Sequence, residues 1–269
     1  MFITRLISGI LLLVIVMGAI IAGEGIVFLL TAVLSIIGLY ELYRTYNIHQ
    51  NILGIAGYLA AVIYMLLVWQ DLPQEGILGI CITFLLFMSI YVFRFPKYNI
   101  NETVFALFGI LYVPVMMMHL YQIRRLSDGF FMIWLVFISA WGNDTCAYCV
   151  GMLIGRHKMA PKLSPKKSVE GAVGGIVGTV ILGAVYGHLM GGQLVSFTYP
   201  VLQCAIICGV CSLIAIIGDL SASAIKRNQN IKDFGTLIPG HGGVLDRFDS
   251  ILLTAPSVYF LAIHLGSVS

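Results

Sequence analysis

Three aspartates near the end of the chain have the chemistry to hold a metal ion. Asp219 follows an apolar stretch, and Asp246 and Asp249 stand three positions apart at the start of another. Residues three apart lie on one helix face, where two carboxylates repel each other unless a cation lies between them. Carboxylate oxygens suit Mg²⁺, which completes its shell with water and substrate phosphate. The acids therefore predict a metal–phosphate site; the alternative is a solvated helix start, where the helix dipole favours aspartate.

Cations and glycines lie between these acids, as a phosphate site requires. Lys226 and Arg227 come about two helical turns after Asp219, and a proline and three glycines then frame His241. Glycines allow backbone N–H groups to approach an anion closely, and a helix start presents unpaired N–H groups to it. The glycine turn therefore predicts a phosphate pocket, although an ordinary loop cap would have the same composition.

A second basic segment precedes another glycine-rich stretch. Ser164, Lys166, Lys167 and Ser168 come directly before Gly171 and further glycines. Lysines beside hydroxyls at a helix start fit a polyphosphate. Two alternatives stay open, because cytoplasmic loops of membrane proteins are basic in general and basic clusters bind anionic lipid headgroups.

Asp144 is an acid inside an apolar stretch. An ionised aspartate at the centre of an isolated membrane helix costs at least ~2.5–3.5 kcal/mol, so it must face a partner or a watered cavity. We expect it to line an active site; a structural hydrogen bond to Asn143, Thr145 or another helix is the alternative.

Composition requires these residues to be positioned by membrane helices. Of the 269 residues, 59% are hydrophobic and 10% are charged, which excludes an ordinary soluble domain. A net charge of +3 gives no support for nucleic acid as a partner. Only helices and closed barrels satisfy their backbone in lipid, and the apolar runs are too long for barrel strands. We therefore predict an all-α polytopic protein of about nine spans: Leu6–Ala22, Ile26–Tyr43, Ile52–Trp69, Ile77–Phe93, Val104–Ile123, Phe130–Ile154, Gly171–Met190, Val201–Leu220 and Val244–Gly266.

The placement of Lys and Arg predicts the orientation. With nine spans, thirteen of the fifteen cations fall on one side and only Arg124 and Arg125 on the other. Cytoplasmic loops carry the excess of Lys and Arg, so the N-terminus is predicted to be cytoplasmic. The polar chemistry is concentrated late in the chain. We therefore expect residues 1–125 to be a transmembrane scaffold of about five spans, and residues 126–269 to be the catalytic region with two basic cytoplasmic loops, the second between 221 and 243.

The C-terminal half resembles a known family. From Ser223 through Lys226-Arg227, Lys232 and the glycine turn to Asp249, 27 positions fit in order and spacing the signature of the phosphatidate cytidylyltransferases, also called CDP-diacylglycerol synthases. The segments 144–148 and 164–171 are also similar to the family, with Ser168 where the family usually has Thr. The resemblance covers roughly residues 139–260.

The resemblance implies a multi-pass enzyme of the inner (cytoplasmic) membrane, a homodimer, that converts CTP and phosphatidic acid into CDP-diacylglycerol and pyrophosphate with Mg²⁺. On this basis we expect Mg²⁺ to be held by Asp219, Asp246 and Asp249. The same acids Asp219 and Asp246 are expected to act in catalysis with the cations Lys226, Arg227 and Arg247. Substrate binding is expected from the remaining polar residues and glycines: Asp144, Ser164, Lys166, Lys167, Ser168, Ser223, Lys232, His241, Gly242 and Gly243.

Other classes of membrane protein are alternatives. A CDP-alcohol phosphotransferase also uses Asp pairs with Mg²⁺, but its motif requires acids separated by three residues, whereas two separate Asp246 from Asp249. A transporter would use Asp144 and Asp219 as ion sites and predicts inverted repeats, which the sequence lacks. A CTP-dependent lipid kinase is the closest mechanistic neighbour, and it differs in its product.

The charge distribution gives a direct test of topology. A cysteine introduced at Lys162 should resist membrane-impermeant thiol reagents in intact cells, because that loop is predicted to be cytoplasmic. Labelling of the six native cysteines provides the background. Ready labelling at position 162 would overturn the nine-span topology.

Overall fold

The computed structural model describes the chain except residues 1, 241 and 267–269, and the side chains of residues 2–6 and 73–75 are also left out. The helices and strands, in chain order, are α1 Phe2–Ala22, α2 Glu24–Thr45, α3 Ile52–Trp69, α4 Pro73–Phe93, α5 Ile100–Ile110, α6 Met116–Arg125, α7 Gly129–Phe137, α8 Asn143–Ile154, β1 Lys158–Ala160, β2 Ser164–Ser168, α9 Val169–Met190, α10 Pro200–Asn228 and α11 Leu245–Leu265.

The prediction of an all-α polytopic membrane protein is confirmed. Eight continuous helical segments in the described part of the chain are long and apolar enough to cross a membrane. Two of these segments, Ile100–Arg125 and Gly129–Ile154, each consist of two shorter α-helices with a π-helical turn between them. The ninth predicted span falls on α1, whose fully described part, Ile7–Ala22, is apolar but shorter. Each predicted span therefore coincides with a helix.

The two π-helical turns occur at Leu111–Val115 and Ile138–Gly142. The first contains Pro114, which has no N–H to donate within the helix. The second ends directly before Asn143 and Asp144. Single π turns inside helices are frequent at functional sites, and this one changes the direction of the side chains that follow.

The prediction that the loop between spans eight and nine begins at residue 221 was wrong. Helix α10 continues for two more turns to Asn228, so Ser221, Ser223, Lys226 and Arg227 are helical and do not lie in a loop. Polar residues mark where a helix leaves the hydrocarbon, but they do not end its hydrogen bonding. The basic pair also suits the last turn, where the helix dipole favours cations.

The basic loop before α9 folds as a small antiparallel hairpin. Strands β1 and β2 pair with Lys158 opposite Ser168 and Ala160 opposite Ser164. Ser168 then caps α9, because its Oγ accepts a hydrogen bond from the N–H of Gly171 at 3.1 Å. The lysines of the hairpin are therefore held at a fixed distance from the helix start.

The chain forms two compact units. The first runs to Tyr121 and resumes from Lys232 to Arg247; the second comprises Gln122–Ile231 and the chain from Phe248 onward. In the first unit, Tyr43 is fully buried and its hydroxyl donates to the carbonyl of Ala106 at 2.6 Å. In the second unit, α9 packs closely against α10, where a Cβ at Gly183 would come within 2.7 Å of the Cys204 carbonyl oxygen.

Candidate active site

An ion pair joins the basic hairpin to α10 in the second unit. The Lys167 ammonium group contacts a carboxylate oxygen of Asp219, and both side chains are about a quarter exposed. Lys167 is the residue before the Ser168 cap of α9, and Asp219 follows Gly218 in α10. The contact therefore brings together two residues that the sequence assigned to different parts of one site.

Asp249 is the most enclosed acid of this cluster, with 9% of its surface exposed. Asp219, Lys226 and Asp144 are all close enough to act on its carboxylate electrostatically. Three acids from α8, α10 and α11 therefore converge with two lysines, Lys167 and Lys226. An enclosed carboxylate is tolerated only with compensating charge or hydrogen bonds. For Asp249, Lys226 supplies the charge, and the N–H of Ser250 donates a hydrogen bond to Oδ1 at 2.7 Å.

Gly218 allows α10 and α11 to approach each other at this point. A Cβ on Gly218 would lie 2.9 Å from the carbonyl oxygen of Asp249 and 3.2 Å from Cα of Ser250. Contacts this short require backbone to move. The glycine therefore sets the separation of the two helices that carry Asp219 and Asp249.

Close packing also fixes the hairpin that carries Lys167. A Cβ at Gly151, Gly155 or Gly171 would fall within 3.0 Å of the Ser168 hydroxyl oxygen. The carboxylate of Glu170 accepts from the backbone N–H groups of Arg156 and His157. Both ends of the hairpin are thus tied to the start of α9.

Asn143 is a polar residue that sequence analysis did not assign to the site. It is 1% exposed, and its Oδ1 has no hydrogen-bond partner among the described residues. It directly precedes Asp144 and packs where a Cβ at Gly175 would overlap it. Its position beside Asp144 in an apolar stretch was the signal available in the sequence.

The glycine turn belongs to the first unit and folds tightly. The N–H of Ile238 donates to the carbonyl of Gly242 at 2.9 Å. Gly240 and Gly242 adopt φ values of 78° and 87°, which favour glycine because a Cβ is disfavoured there. A Cβ at Gly242 would also lie 2.9 Å from Oδ2 of Asp246.

Asp246 organises the backbone of this turn. Its Oδ2 accepts from the N–H groups of Phe234 at 2.8 Å and Gly243 at 2.9 Å, and the residue is 7% exposed. A carboxylate has about four lone-pair positions, and these two bonds occupy two of them. Its assignment as a metal ligand stays a prediction.

A second buried acid, Glu41 of α2, also contacts this segment. Its carboxylate oxygens accept from the N–H groups of Val244 and Leu245. Glu41 falls in the region predicted to be a scaffold, where no functional role is predicted for it. An acid inside a membrane span was the signal that could have identified it.

The other residues proposed from the sequence are less enclosed. Lys166 and Lys232 are exposed, while Ser164, Ser223 and Arg247 are half-buried. The Arg227 guanidinium donates to the Ile231 carbonyl at 3.1 Å and so closes the end of α10. His241 lies outside the described residues.

The donor chemistry of the second-unit cluster fits a divalent cation. No group of three or more His, Cys, Asp or Glu residues in the described chain is placed to hold a metal by itself. Mg²⁺ is usually held by one or two carboxylates together with substrate phosphates and water, and not by an all-protein cage. Asp219 and Asp249 supply two such carboxylates.

The profile of the cytidylyltransferase family matches residues 3–264. The chain belongs to this family. It is 32% identical to a phosphatidate cytidylyltransferase of Staphylococcus saprophyticus, over 97% of this chain and 99% of the relative. A protein of the same name from Bacillus subtilis is 30% identical over 96% of each chain. The resemblance inferred from the C-terminal half is thus confirmed and extends along nearly the whole chain, and the family is consistent with a divalent-metal requirement.

A metal-binding measurement can test the cluster separately from turnover. Asp249→Asn should weaken Mn²⁺ binding, followed by electron paramagnetic resonance, by about tenfold or more, the scale seen when metal-site residues are altered. Asp71→Asn is the matched control, because Asp71 is exposed and has a φ of 60° that asparagine tolerates. Equal Mn²⁺ affinity in folded Asp249→Asn protein would remove Asp249 from the metal site.

Proposed function

We propose that this chain is a membrane nucleotidyltransferase that makes CDP-diacylglycerol and pyrophosphate from CTP and phosphatidic acid, a step of phospholipid biosynthesis. Family membership and the name shared by its relatives support this activity. The observation that carries it in the structure is the convergence of Lys167, Lys226, Asp219 and Asp249 from separate elements. Such a mixture of acids and lysines suits a reaction between two anions.

The reaction needs charge neutralisation more than a strong base. The nucleophile is the lipid phosphate, which is already anionic near neutral pH because the second pKa of a phosphate monoester is about 6. Attack on the α-phosphorus of CTP forms the new P–O–P bond, while the bond to the β-phosphate breaks and pyrophosphate leaves. Cations aimed at the developing charge lower the barrier of such a transfer.

Each residue of the second-unit cluster has a role in this proposal. Asp219 and Asp249 hold Mg²⁺, which when bound supplies positive charge to the phosphates. Lys167, which pairs with Asp219 in the structure, would bind a phosphate of the nucleotide. Lys226 compensates charge that develops in the transition state. Asp144 contributes a third carboxylate to the site, and Ser168 keeps Lys167 in place by capping α9.

The remaining assignments are proposals from the sequence. Arg227 and Arg247 compensate phosphate charge in that proposal. Substrate contacts come from the other polar residues and the glycine turn: Ser164, Lys166, Ser223, Lys232, His241, Gly242 and Gly243.

We further propose that the protein is a homodimer in the inner membrane with its active site facing the cytoplasm, where CTP is available. The charge distribution supports this orientation. Contacts within each unit agree with the predicted alternation of helices. The Ser196 N–H donates to Asp128 between two loops predicted to be outside. Ser8, near the predicted cytoplasmic end of the first span, donates to the carbonyl of Pro239, in a loop predicted to be inside.

The position of the label in CTP decides between transfer reactions. Purified protein with phosphatidic acid and Mg²⁺ should move label from the α-phosphate of CTP, and none from the γ-phosphate, into the lipid phase. A CTP-dependent lipid kinase would transfer the γ-label. Transfer of neither label, in protein that remains folded, would refute nucleotidyl transfer to phosphatidic acid and favour a transporter or another lipid enzyme.

Two lysines should affect different kinetic constants. An interaction made equally in ground and transition states raises KM when lost, whereas one made only in the transition state lowers kcat. We expect Lys167→Ala mainly to raise the KM for CTP. Lys226→Ala should lower kcat by on the order of 10²-fold or more, the scale for removal of one transition-state donor.

Lys162→Ala is the matched control for this pair, because Lys162 is exposed beside β2 and has no assigned role. It should leave both constants near those of the unaltered protein. Near-normal kinetics for Lys167→Ala and Lys226→Ala as well would mean that both basic segments serve only membrane topology.

A further inference from the structure

Glu41 is a buried acid that the proposed reaction does not use. It lies in α2, four residues before the helix end, and is 4% exposed. A carboxylate this enclosed is kept only where it is hydrogen-bonded or paired. Arg44, one turn along the same helix, is close enough to act on it electrostatically. The hydrogen-bond partners of Glu41 indicate what its carboxylate holds in place.

Both carboxylate oxygens of Glu41 are bonded to the start of α11. Oε1 accepts from the N–H of Val244 at 3.0 Å, and Oε2 accepts from the N–H of Leu245 at 2.9 Å. The first N–H groups of a helix have no acceptor within the helix, and a nearby side chain usually supplies one. Here the acceptor comes from more than 200 positions away in the sequence. The negative charge is also favoured at the positive end of the helix dipole.

Two glycines of the segment from Lys232 to Gly243, here called the glycine loop, lie against this carboxylate. A Cβ at Gly235 or at Gly243 would overlap the Glu41 carboxylate oxygens. Glycine at these two positions therefore allows the backbone to approach the acid. Asp246 holds the same loop from the other side through the N–H groups of Phe234 and Gly243.

We propose that Glu41 is a positioning residue for substrate binding: it fixes the glycine loop in the conformation that receives a phosphate of CTP. Glu41 itself touches no substrate, and it acts through the backbone of Val244 and Leu245. The inference rests on the proposed function, because only there does the glycine loop meet a nucleotide. It also gives the N-terminal helices a part in binding, beyond that of a scaffold.

Glu41→Gln tests this role, because it keeps the size of the side chain and replaces one acceptor oxygen with an NH₂ group. Amide hydrogens of residues 232–245 should exchange about tenfold faster or more, as expected for loss of a hydrogen bond to a charged group. Amides of α9 should be unchanged. The KM for CTP should rise about tenfold, with kcat changed less than about twofold, because a loop that binds ground and transition states equally affects KM.

Glu24→Gln is the control, since Glu24 is an exposed acid at the other end of the same helix. Gly235→Ala disturbs the same contact from the loop side, because its methyl group would overlap the Glu41 carboxylate. This variant provides the test if Glu41→Gln does not fold. It should raise KM in the unaltered protein but add little in a Glu41→Ala background, where space for the methyl group exists.

Two results would overturn the inference. One is unchanged exchange in the glycine loop of Glu41→Gln. The other is faster exchange with an unchanged KM, which would make Glu41 a cap for α11 without a part in binding. An unaltered protein without cytidylyl transfer would instead refute the proposed function, and the positioning role with it, so the two failures are distinguishable.

Discussion

Carboxylates enclosed among apolar helices impose the constraint on which the rest of this structure depends. Such groups are costly unless a cation or a set of N–H groups compensates them. The second unit supplies cations, with Lys167 at Asp219 and Lys226 acting on Asp249. The first unit supplies backbone N–H groups, two each for Glu41 and Asp246. In each arrangement some of the compensating groups come from a segment that is distant in the sequence. The positions of the acids therefore constrain how the chain folds.

Close approach in turn requires residues without side chains. Gly218 lets α10 meet α11 beside two acids, and Gly235 lets the loop meet Glu41. In both cases a methyl group would displace either backbone or a carboxylate. Gly218 and Gly235 matter because they have no side chain to obstruct a close contact. Gly240 and Gly242 matter because their positive φ values form the turn.

Much of the fold could be predicted because hydropathy reports directly on membrane helices. The same signal misplaced the end of α10, since polarity marks the water boundary and helical hydrogen bonding continues beyond it. The sequence motif pointed to the family that the comparisons confirm, but no local pattern shows that Lys167 meets Asp219, because their contact depends on a hairpin and a cap. Glu41 was missed for the same reason, as its partners lie more than 200 positions away.

The helix α10 fixes the distance between Asp219 and Lys226 along its axis. At 1.5 Å per residue, its 29 residues extend about 43 Å, against roughly 30 Å for the hydrocarbon core of a bilayer. Asp219 lies about 29 Å from the helix start, and Lys226 about 10 Å beyond it. If α10 crosses the bilayer along its normal from Pro200, this spacing would set Asp219 near the far edge of the hydrocarbon and Lys226 about 10 Å beyond it. Because that spacing cannot stretch, a thicker or thinner bilayer would shift both residues together relative to the headgroup plane, and the activity proposed for them would then depend on the membrane around the protein.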